Sequence, residues 1–590
     1  MRNSLLSQIF EQMADIMEIL GEDRFRINTY RKVGRIISDV PGDISSALSS
    51  GELAASPGIG KSSIAKIEEF VKTGKITAHQ QLLGKIPATL PALLNIPGVG
   101  PKGVKALYEQ LNVKSIPELK AAIDSGAVAQ LPGFGDRKAQ VIARGIEFLE
   151  KSTGRIRLDQ AAEAAELVRQ FLKSHSGVRK IQTAGSLRRR VETVGDVDIL
   201  VAGDKGKEVV EAFTSAEFVQ EVLAAGGTKG SAIIDAAGCG VHVDVRVVPE
   251  KSFGAAAQYF TGSKQHNVRL REIAVKSGLK LNEYGLFKAE RMLAGAVEAD
   301  IYKKLKVDYI QPLLREDRGE IEAAKSHSLP ELIRCKDISG DLHVHTNASD
   351  GNCDIMQLVK AVKKPITSDV EDTTDGKWGP YKYICITDHS KSSAIANGLS
   401  AGRLARQIEL IRKLNEQVKD IVILAGSEVD ILADGSLDFD NKLLSELDFV
   451  IASIHSGLSS SREKVSMRTL KAMDNPYVNC IGHPTGRLIG QREPMDVDIA
   501  AVIKHAAQTH TALEVNANPY RLDLKDIHCR MAVEAGVKLT IATDAHSVEN
   551  LGLMHYGVAT AGRGWATADD VLNTYSAAKL KSWVAAKRKC

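Results

Sequence analysis

The stretch from Gly185 to Leu200 reads GSLRRRVETVGDVDIL and is the most informative part of the first half of the chain. Asp196 and Asp198 are two positions apart, so on a β-strand both carboxylates point to the same face. A third carboxylate, Asp244, belongs to the later run HVDVR, which can form a strand beside the first. Two carboxylates this close repel each other unless a divalent cation lies between them. Three on adjacent strands can hold two Mg²⁺ ions about 3.5–4 Å apart, the arrangement used for phosphoryl transfer.

The residues before the carboxylates suit a phosphate ligand. Gly185 and Ser186 offer an exposed backbone and a hydroxyl for a triphosphate, and Arg189 can neutralise its charge. The motifs G-S-x-R-R and G-D-x-D, followed by the third aspartate, resemble the nucleotidyltransferase palm of family X DNA polymerases. The likeness continues through YFTGS at 259–263 and NEYG at 282–285, and it spans residues 1–315 in the order that the family has.

The resemblance implies a role for each matching residue. Asp196, Asp198 and Asp244 would be catalytic and would bind two Mg²⁺ or Mn²⁺ ions, and Asp244 would also help to activate the primer 3′-hydroxyl. The nucleotide-binding residues implied are Gly185, Ser186, Arg189, Gly195, Tyr259, Phe260, Gly262, Asn267 and Arg271. Two positions depart from the family pattern, because Lys264 replaces an acidic residue and Arg190 replaces a glycine. These departures bear on nucleotide affinity and fidelity.

Residues 1–150 have helical periodicity, interrupted by the turns PGIG at 57–60, PGVG at 97–100 and PGFG at 132–135. The glycines permit positive φ, and the helix after each turn directs free N–H groups and its positive dipole end towards a phosphate oxygen. Such contacts do not depend on base sequence. The turns resemble helix-hairpin-helix motifs of repair proteins. They predict DNA contacts from Gly58, Gly60, Lys61, Lys66, Gly98, Gly100, Lys102, Gly133, Gly135 and Arg137.

The N-terminal segment also resembles the lyase domain of the same family, in which a lysine forms a Schiff base with a 5′-deoxyribose phosphate. Lys66 aligns with that nucleophile, and YRK at 30–32 matches a family element. Two phosphate-binding lysines of the family are replaced by Arg26 and Ser62. We therefore expect 5′-phosphate binding and treat lyase activity as a separate hypothesis.

The second half carries its histidines and acids at the ends of short predicted strands. These strands cover 341–345, 383–389, 421–428, 449–455, 478–483, 512–517 and 538–546, and six of the seven end in a potential metal ligand. The predicted ligands are His343, His345, Asp350, His389, Glu428, His455, His483, Asp544 and His546. In a parallel barrel all the strand C-termini open onto one face, and this mixture of ligands suits Zn²⁺, Mn²⁺ or Fe²⁺.

The motifs DLHVH, TDH, SIHS, GHP and TDAH in this half resemble the polymerase-and-histidinol-phosphatase (PHP) superfamily, whose members hydrolyse phosphoesters with up to three ions. The fold class expected is therefore multidomain. It combines α-helical helix-hairpin-helix domains, an α/β nucleotidyltransferase palm with a small α+β thumb, and a C-terminal distorted (β/α)7 PHP barrel. The predicted boundaries are 1–80 lyase-like, 81–155 fingers, 156–250 palm, 251–315 thumb, 316–336 linker and 337–590 PHP.

Composition sets broader limits. The net charge is +4, and ten of the fifteen histidines lie from His343 onward. No apolar run approaches the roughly 18 residues that span a membrane, so we expect no membrane contact and a cytoplasmic protein. No sequence signal indicates an oligomer, and we expect a monomer.

These features predict a polymerase that fills short gaps in base excision repair, with gapped or nicked double-stranded DNA and dNTPs as its partners. The barrel is expected to add a metal-dependent 3′–5′ exonuclease or 3′-end phosphoesterase, with abasic-site processing a further activity that the resemblance implies. One alternative is a phosphatase or nuclease tethered to DNA by an inactive polymerase half. Another is a non-enzymatic scaffold that binds DNA ends.

Overall fold

The computed structural model describes residues 2–38, 44–49, 53, 59–87, 89–96, 99–136, 138–140, 142–143, 146, 155–236, 238–367 and 377–588. The chain folds as two compact units. The first comprises residues 1–154, 237–239 and 488–493, and the second comprises residues 155–236, 240–487 and 494–590.

The first unit is helical, as its apolar periodicity predicts. Its helices and 3-10 turns are Arg2–Leu20, Arg24–Ser38, Ile44–Ser49, Lys61–Thr73, Thr77–Leu83, Leu90–Asn95, Pro101–Leu111, Ile116–Asp124 and Val128–Gln130. Helix ends follow local chemistry: the Ser115 side chain accepts a hydrogen bond from the Glu118 N–H. The Lys61–Thr73 helix ends at Gly74, which has a φ of +72°.

The second unit begins with a five-stranded sheet that carries the predicted carboxylates. Its strands are Lys180–Thr183, Val197–Ala202, Val219–Ala225, Lys229–Ala236 and Cys239–Val248. Val197–Ala202 runs parallel to Cys239–Val248 and antiparallel to Lys180–Thr183. The helices of this part are Leu158–Lys173, Gly185–Arg188 and Gly206–Thr214, and a two-stranded ribbon pairs Ile156–Arg157 with Thr193–Val194.

A small α+β segment follows. Its elements are Glu250–Ser252, Phe253–Thr261, Lys264–Lys276, Lys280–Asn282, Gly285–Lys288, Arg291–Ala294, Glu298–Lys304, Pro312–Leu314, Glu320–Lys325 and Cys335–Asp337, of which the three strands form one antiparallel sheet. Residues 316–336, predicted as a helical or irregular linker, include the Glu320–Lys325 helix. Ile321, Ala324 and Leu332 are buried in the same apolar cluster as Leu270 and Ile301.

The rest of the second unit is a parallel barrel of seven strands, which confirms the predicted fold. The strands are Gly340–Val344, Tyr383–Ile386, Val422–Asp430, Phe449–Ser453, Cys480–Ile481, Ala512–Asn516 and Leu539–Ala542, paired in chain order. A parallel bridge from Val344 to Ala545 joins the first strand to the end of the last. The Phe449–Ser453 strand is buried along its whole length, as expected for a parallel sheet covered on both faces.

Helices surround these strands. They are Ile355–Val362, Ala401–Gln417, Asn441–Leu444, Arg462–Met473, Ile499–Thr509, Asp526–Glu534, Met554–Arg563 and Ala577–Lys587. The 3-10 turns of this part are Ala394–Ala396, Glu549–Leu553, Ala568–Asp570 and Leu572–Thr574. A short hairpin pairs Ile366–Thr367 with Lys377–Trp378. Most of these helices pack their apolar faces on the barrel strands in one large core. Leu580 and Val584 of the Ala577–Lys587 helix pack in a second cluster with strand residues such as Phe449.

A buried ion pair connects the carboxylate sheet to the α+β segment. Glu298 lies 2.7 Å from Arg188 and 2.6 Å from the fully buried Arg315. Burial raises the pKa of Glu298, but the two guanidinium groups outweigh burial and lower this pKa to about 2. Because the folded pKa is depressed, the stabilisation is fully present above about pH 4.5 and is lost as the pH falls towards 2.

Replacing Glu298 by Gln is expected to destabilise the second unit by about 3–5 kcal/mol, because Arg315 would remain buried without a charge partner. The measurement is the denaturant midpoint of the transition that removes barrel and sheet structure at pH 7. Glu208→Gln, at an exposed glutamate of the same unit, serves as control. Equal midpoints for Glu298→Gln and the control would contradict the assignment.

Candidate functional site

The first candidate site lies where the two parallel strands of the sheet carry carboxylates side by side. Asp198 and Asp244 are direct partners in the strand register, and Asp196 stands just before the first of these strands. One carboxylate oxygen from each of the three lies within 4.8 Å of the others. Gly185 approaches closely with a φ of +60°, and a Cβ there would lie 2.3 Å from Asp198 Oδ2. A side chain at 185 is therefore excluded.

The electrostatics of these carboxylates fit a cation. Burial, together with repulsion from Asp196 and Asp244, raises the pKa of Asp198 to about 7. Burial also raises the pKa of Asp244, but Lys229, 2.6 Å away, and Ser231 outweigh burial and lower it. Asp244 Oδ1 is buried, makes no well-oriented hydrogen bond within the described part of the chain and lies 3.3 Å from His242 Nε2. Carboxylates that lie this close together and repel one another suit divalent ions.

Sequence reasoning did not identify Lys229 as a neighbour of the carboxylates. It belongs to the Lys229–Ala236 strand, which was not predicted, and that strand lies next to Cys239–Val248 in the sheet. Only the strand order brings Lys229 to Asp244, so no local motif could have signalled it.

Of the predicted phosphate-binding residues, Gly185 lies against Asp198. Gly185 and Ser186 begin the short Gly185–Arg188 helix. The Arg189 side chain donates to Glu316 Oε1 at 3.0 Å and to the Thr261 carbonyl at 2.5 Å. In this structure Arg189 therefore has protein partners that a phosphate would replace.

The departure at Arg190 has a backbone signature. Arg190 has a φ of +56°, which lies in the left-handed region that favours glycine. An arginine therefore occupies a position whose backbone suits the family's glycine.

The predicted sugar-side and base-side residues form a second group. Tyr259 and Phe260 pack edge to face with centroids 5.2 Å apart, and Asn267 Nδ2 donates to the Tyr259 carbonyl at 2.7 Å. The exposed Arg271 donates through Nε to the Asn267 carbonyl at 3.2 Å. Gly262 has a φ of +68°, and a Cβ there would lie 3.2 Å from Arg189 Nη1. Gly195 follows the Thr193–Val194 strand directly and precedes the first carboxylate.

The second candidate site lies at the C-terminal ends of the barrel strands. The ligands form three overlapping groups, and within each group the ligand atoms lie within 4.8 Å of one another. The groups are His345 with Asp350, His389 and His546; His343 with His345 and Glu428; and His389 with Glu428 and His455. The two remaining predicted ligands join them, because His483 Nε2 lies 2.9 Å from Glu428 and Asp544 Oδ1 lies 3.1 Å from His345. All nine predicted ligands therefore belong to one cluster.

Several buried nitrogen atoms of this cluster face carboxylates without well-oriented hydrogen bonds. His343 Nε2, both ring nitrogens of His345 and His389 Nδ1 make none among the described residues, although His389 Nδ1 lies 2.9 Å from Glu428 and His345 Nε2 lies 3.1 Å from Asp544. Burial raises the pKa of Glu428, but the imidazoles of His455, His389 and His343 lower it well below its usual value. Buried imidazoles that gather around an ionised carboxylate, with several ring nitrogens in no well-oriented hydrogen bond, fit the binding of several metal ions.

Sequence reasoning missed the residues that orient these ligands. Glu514 accepts from His343 Nδ1 at 2.6 Å, Asp430 contacts His455 Nδ1 at 2.5 Å, and Asn516 Nδ2 donates to Asp544 at 3.1 Å. Partners of this kind fix the ring orientation of metal-binding histidines. Glu514 and Asn516 belong to the sixth strand, the one to which no ligand was assigned. A charged residue within the largely apolar run TALEVNA at 511–517 was the available signal.

The glycine turns are described in part. Gly60 and Gly100 immediately precede helices Lys61–Thr73 and Pro101–Leu111, and Gly133 and Gly135 have φ of +79° and +67°. Lys61 and Lys102 are exposed. Gly58, Gly98 and Arg137 lie outside the described residues.

Lys66 lies in a cavity of about 410 Å³ that Arg26, Tyr30, Ser62 and Lys85 also line. Its Nζ donates to Ser62 Oγ at 2.8 Å and lies 5.7 Å from the centre of the Tyr30 ring. The predicted nucleophile and the residues that replace the family's phosphate-binding lysines therefore share one cavity.

Together, the fold and the two clusters define a nucleotidyltransferase joined to a metal-dependent phosphoesterase. Family profiles match three segments: a helix-hairpin-helix domain at residues 1–76, a SAM-like helix-hairpin-helix tandem at 90–147 and the DNA polymerase beta thumb at 256–316. The DNA polymerase/3′-5′ exonuclease PolX of Bacillus subtilis is 36% identical over 98% of both chains. The chain therefore belongs to the family X DNA polymerases.

Two further relatives each match one part of the chain. The DNA polymerase lambda of Rattus norvegicus is 24% identical over 53% of this chain and 56% of its own. A protein of Thermoanaerobacter sp. (strain X514), named as a probable phosphatase, is 30% identical over 35% of this chain and 83% of its own. No helix of the described residues has the length and apolar character to cross a membrane.

Proposed function

We propose that this protein fills short gaps in DNA by adding dNTPs with its palm and trims or cleans 3′ ends with its barrel. The observation that carries the polymerase half is the register pairing of Asp198 with Asp244, with Asp196 beside them. Full-length similarity to a polymerase with 3′–5′ exonuclease activity supports the pairing of the two functions. Base excision repair is the setting that this combination suits.

In the palm, the chain's own residues would bind and orient the reactants. Asp196, Asp198 and Asp244 would hold Mg²⁺ or Mn²⁺, which would neutralise charge on the phosphates when bound. Asp244, which is paired with Asp198 in the strand register, would also help to activate the primer 3′-hydroxyl. Ser186 and Arg189 would contact the triphosphate once Arg189 leaves Glu316.

In the barrel, the nine clustered ligands would hold up to three Mn²⁺, Zn²⁺ or Fe²⁺ ions. Glu514 and Asp430 would keep the rings of His343 and His455 oriented towards those ions. The mixed imidazole and carboxylate set, in which several buried ring nitrogens make no well-oriented hydrogen bond, supports a hydrolytic site for phosphoesters.

One assay tests both halves. A gapped duplex with a 5′-phosphate, incubated with dNTPs and with Mg²⁺, Mn²⁺ or Zn²⁺ in turn, is expected to show both lengthening and shortening of the primer. Shortening without any lengthening would favour the alternative suggested by the phosphatase relative, a hydrolase tethered to DNA.

The Lys66 cavity is proposed to bind the 5′-phosphate of the gap. Lys66→Ala is expected to weaken binding of a 5′-phosphorylated gap about tenfold, since it removes one charge-assisted hydrogen bond. Fluorescence anisotropy with and without the 5′-phosphate measures this. Lys72→Ala, an exposed lysine on the same helix, is the control, and equal losses in both variants would contradict the proposal. Borohydride trapping on a 5′-deoxyribose phosphate tests lyase activity separately.

A further inference from the structure

A short loop after the sixth barrel strand places a cationic side chain at the barrel site. Residues 518–523, called here the 518–523 loop, follow strand Ala512–Asn516. Arg521 Nε lies 3.8 Å from Asp544 Oδ2, and the Arg521 side chain is only 20% exposed. A guanidinium beside a ligand of the metal cluster can contact a phosphate that approaches the ions.

The backbone of this loop is held by a buried arginine that also contacts the palm. Arg487 donates through Nε to the Arg521 carbonyl at 2.8 Å and through Nη2 to the Leu522 carbonyl at 2.5 Å. The same Nη2 donates to Glu192 Oε2 of the palm at 2.7 Å. Glu192 therefore orients the arginine that fixes the position of Arg521.

A second contact reaches the loop from the same part of the palm. The Arg157 guanidinium lies 3.6 Å from the centre of the Tyr520 ring, a favourable cation–π distance. Arg157 pairs with Thr193 in the two-stranded ribbon, and Glu192 immediately precedes that ribbon's second strand. The ribbon leads directly into Gly195 and Asp196 of the polymerase site.

The loop conformation depends on such external contacts. Leu522 has a φ of +42°, in a region that side chains of this kind rarely adopt and that persists only when the surroundings enforce it. The two carbonyls that Arg487 binds are those of Leu522 and the residue before it.

We propose that the palm ribbon positions Arg521 to bind a phosphate oxygen of the DNA strand being hydrolysed, through Glu192 and Arg487. Arg157 and Tyr520 support the same loop. The barrel's hydrolysis would then require an intact palm surface even when no nucleotide is added. This inference rests on the proposed nuclease function.

The test is a double-mutant cycle on the full chain, with a 3′-labelled single-stranded oligonucleotide and Mn²⁺. Arg521→Ala is expected to lower kcat/KM for hydrolysis about 10- to 100-fold, as for the loss of one charge-assisted hydrogen bond to the substrate. Arg521→Lys should restore part of the lost hydrolysis.

Glu192→Ala should cause a smaller loss of hydrolysis than Arg521→Ala, and Glu192→Gln should be less impaired than Glu192→Ala. Because Glu192 acts through Arg521, the double variant Glu192→Ala/Arg521→Ala should be no slower than Arg521→Ala alone.

Three controls separate this positioning role from general damage. Manganese content per chain and primer extension should match those of the unaltered protein in every variant. Glu208→Ala, at an exposed glutamate of the palm, should leave hydrolysis unchanged. Additive losses in the double variant, or full hydrolysis with Glu192→Ala, would overturn the proposal. Absence of Mn²⁺-dependent hydrolysis in the unaltered protein would instead overturn the nuclease function itself.

Discussion

Replacing Asp198 by alanine is expected to reduce primer extension at least about 10³-fold, because bound metal ions contribute several kcal/mol to charge stabilisation and each 1.36 kcal/mol is a factor of ten. Asp198 is two residues from Asp196 along the chain and is paired with Asp244 across the sheet. Its removal leaves two ligands that cannot hold two ions. Incorporation of a single dNTP into a gapped duplex, measured under single-turnover conditions, gives the rate.

The control for this variant is Asp204→Ala in the same domain. The Asp204 side chain is 69% exposed and pairs with Arg179 at the surface, so its loss should leave extension unchanged. Asp198→Asn keeps the shape of the side chain and should be almost as inactive as the alanine variant, since the charge binds the ions. Hydrolysis of a 3′ end should continue in both variants. Normal extension by Asp198→Ala would show that the carboxylates have been assigned the wrong role.

The grouping of the three carboxylates was predictable from the sequence because these residues fall within motifs. Asp196 and Asp198 share a strand face by the two-residue period. The strand that carries the third aspartate, Asp244, has few possible positions in a small sheet. The position of Lys229 beside Asp244 could not be predicted in this way. It depends on a hairpin at the edge of the sheet, in which Val219–Ala225 pairs with Lys229–Ala236. The runs VQEVLAA and KGSAIIDA alternate too weakly to predict strands.

The barrel shows the same division. Its predicted metal ligands follow strands at one end of the barrel, so strand order alone was enough to predict that they lie together. The residues that orient them were not predictable in this way. Glu514 lies inside a strand, and Asp430 forms the end of a strand that already carried a ligand at Glu428. Arg487 and the 518–523 loop depend on packing between palm and barrel, which no local pattern encodes.

Replacing His343 by alanine is expected to abolish hydrolysis of DNA 3′ ends, to below about 1% of normal, because several kcal/mol of charge stabilisation depend on the ions. His343 is fully buried, its Nε2 faces Glu428 at 3.5 Å and Asp544 at 3.6 Å, and its Nδ1 is held by Glu514. The metal content of the purified protein, measured by elemental analysis, should fall in parallel. His505→Ala, at a histidine that contacts Asp474 outside the cluster, should change neither quantity.

The informative outcome is the opposite behaviour of the two variants. His343→Ala should extend primers at the normal rate, and Asp198→Ala should degrade them at the normal rate, because the ligand atoms of each site form their own cluster. A contaminating nuclease would be insensitive to both substitutions and so could not produce this pattern. Glu428→Gln offers a variant of similar size at the centre of the barrel cluster and should match His343→Ala, so that loss of hydrolysis cannot be attributed to a cavity at position 343. Full hydrolysis by both barrel variants, with metal still bound, would mean that these histidines and acids are not the hydrolytic centre.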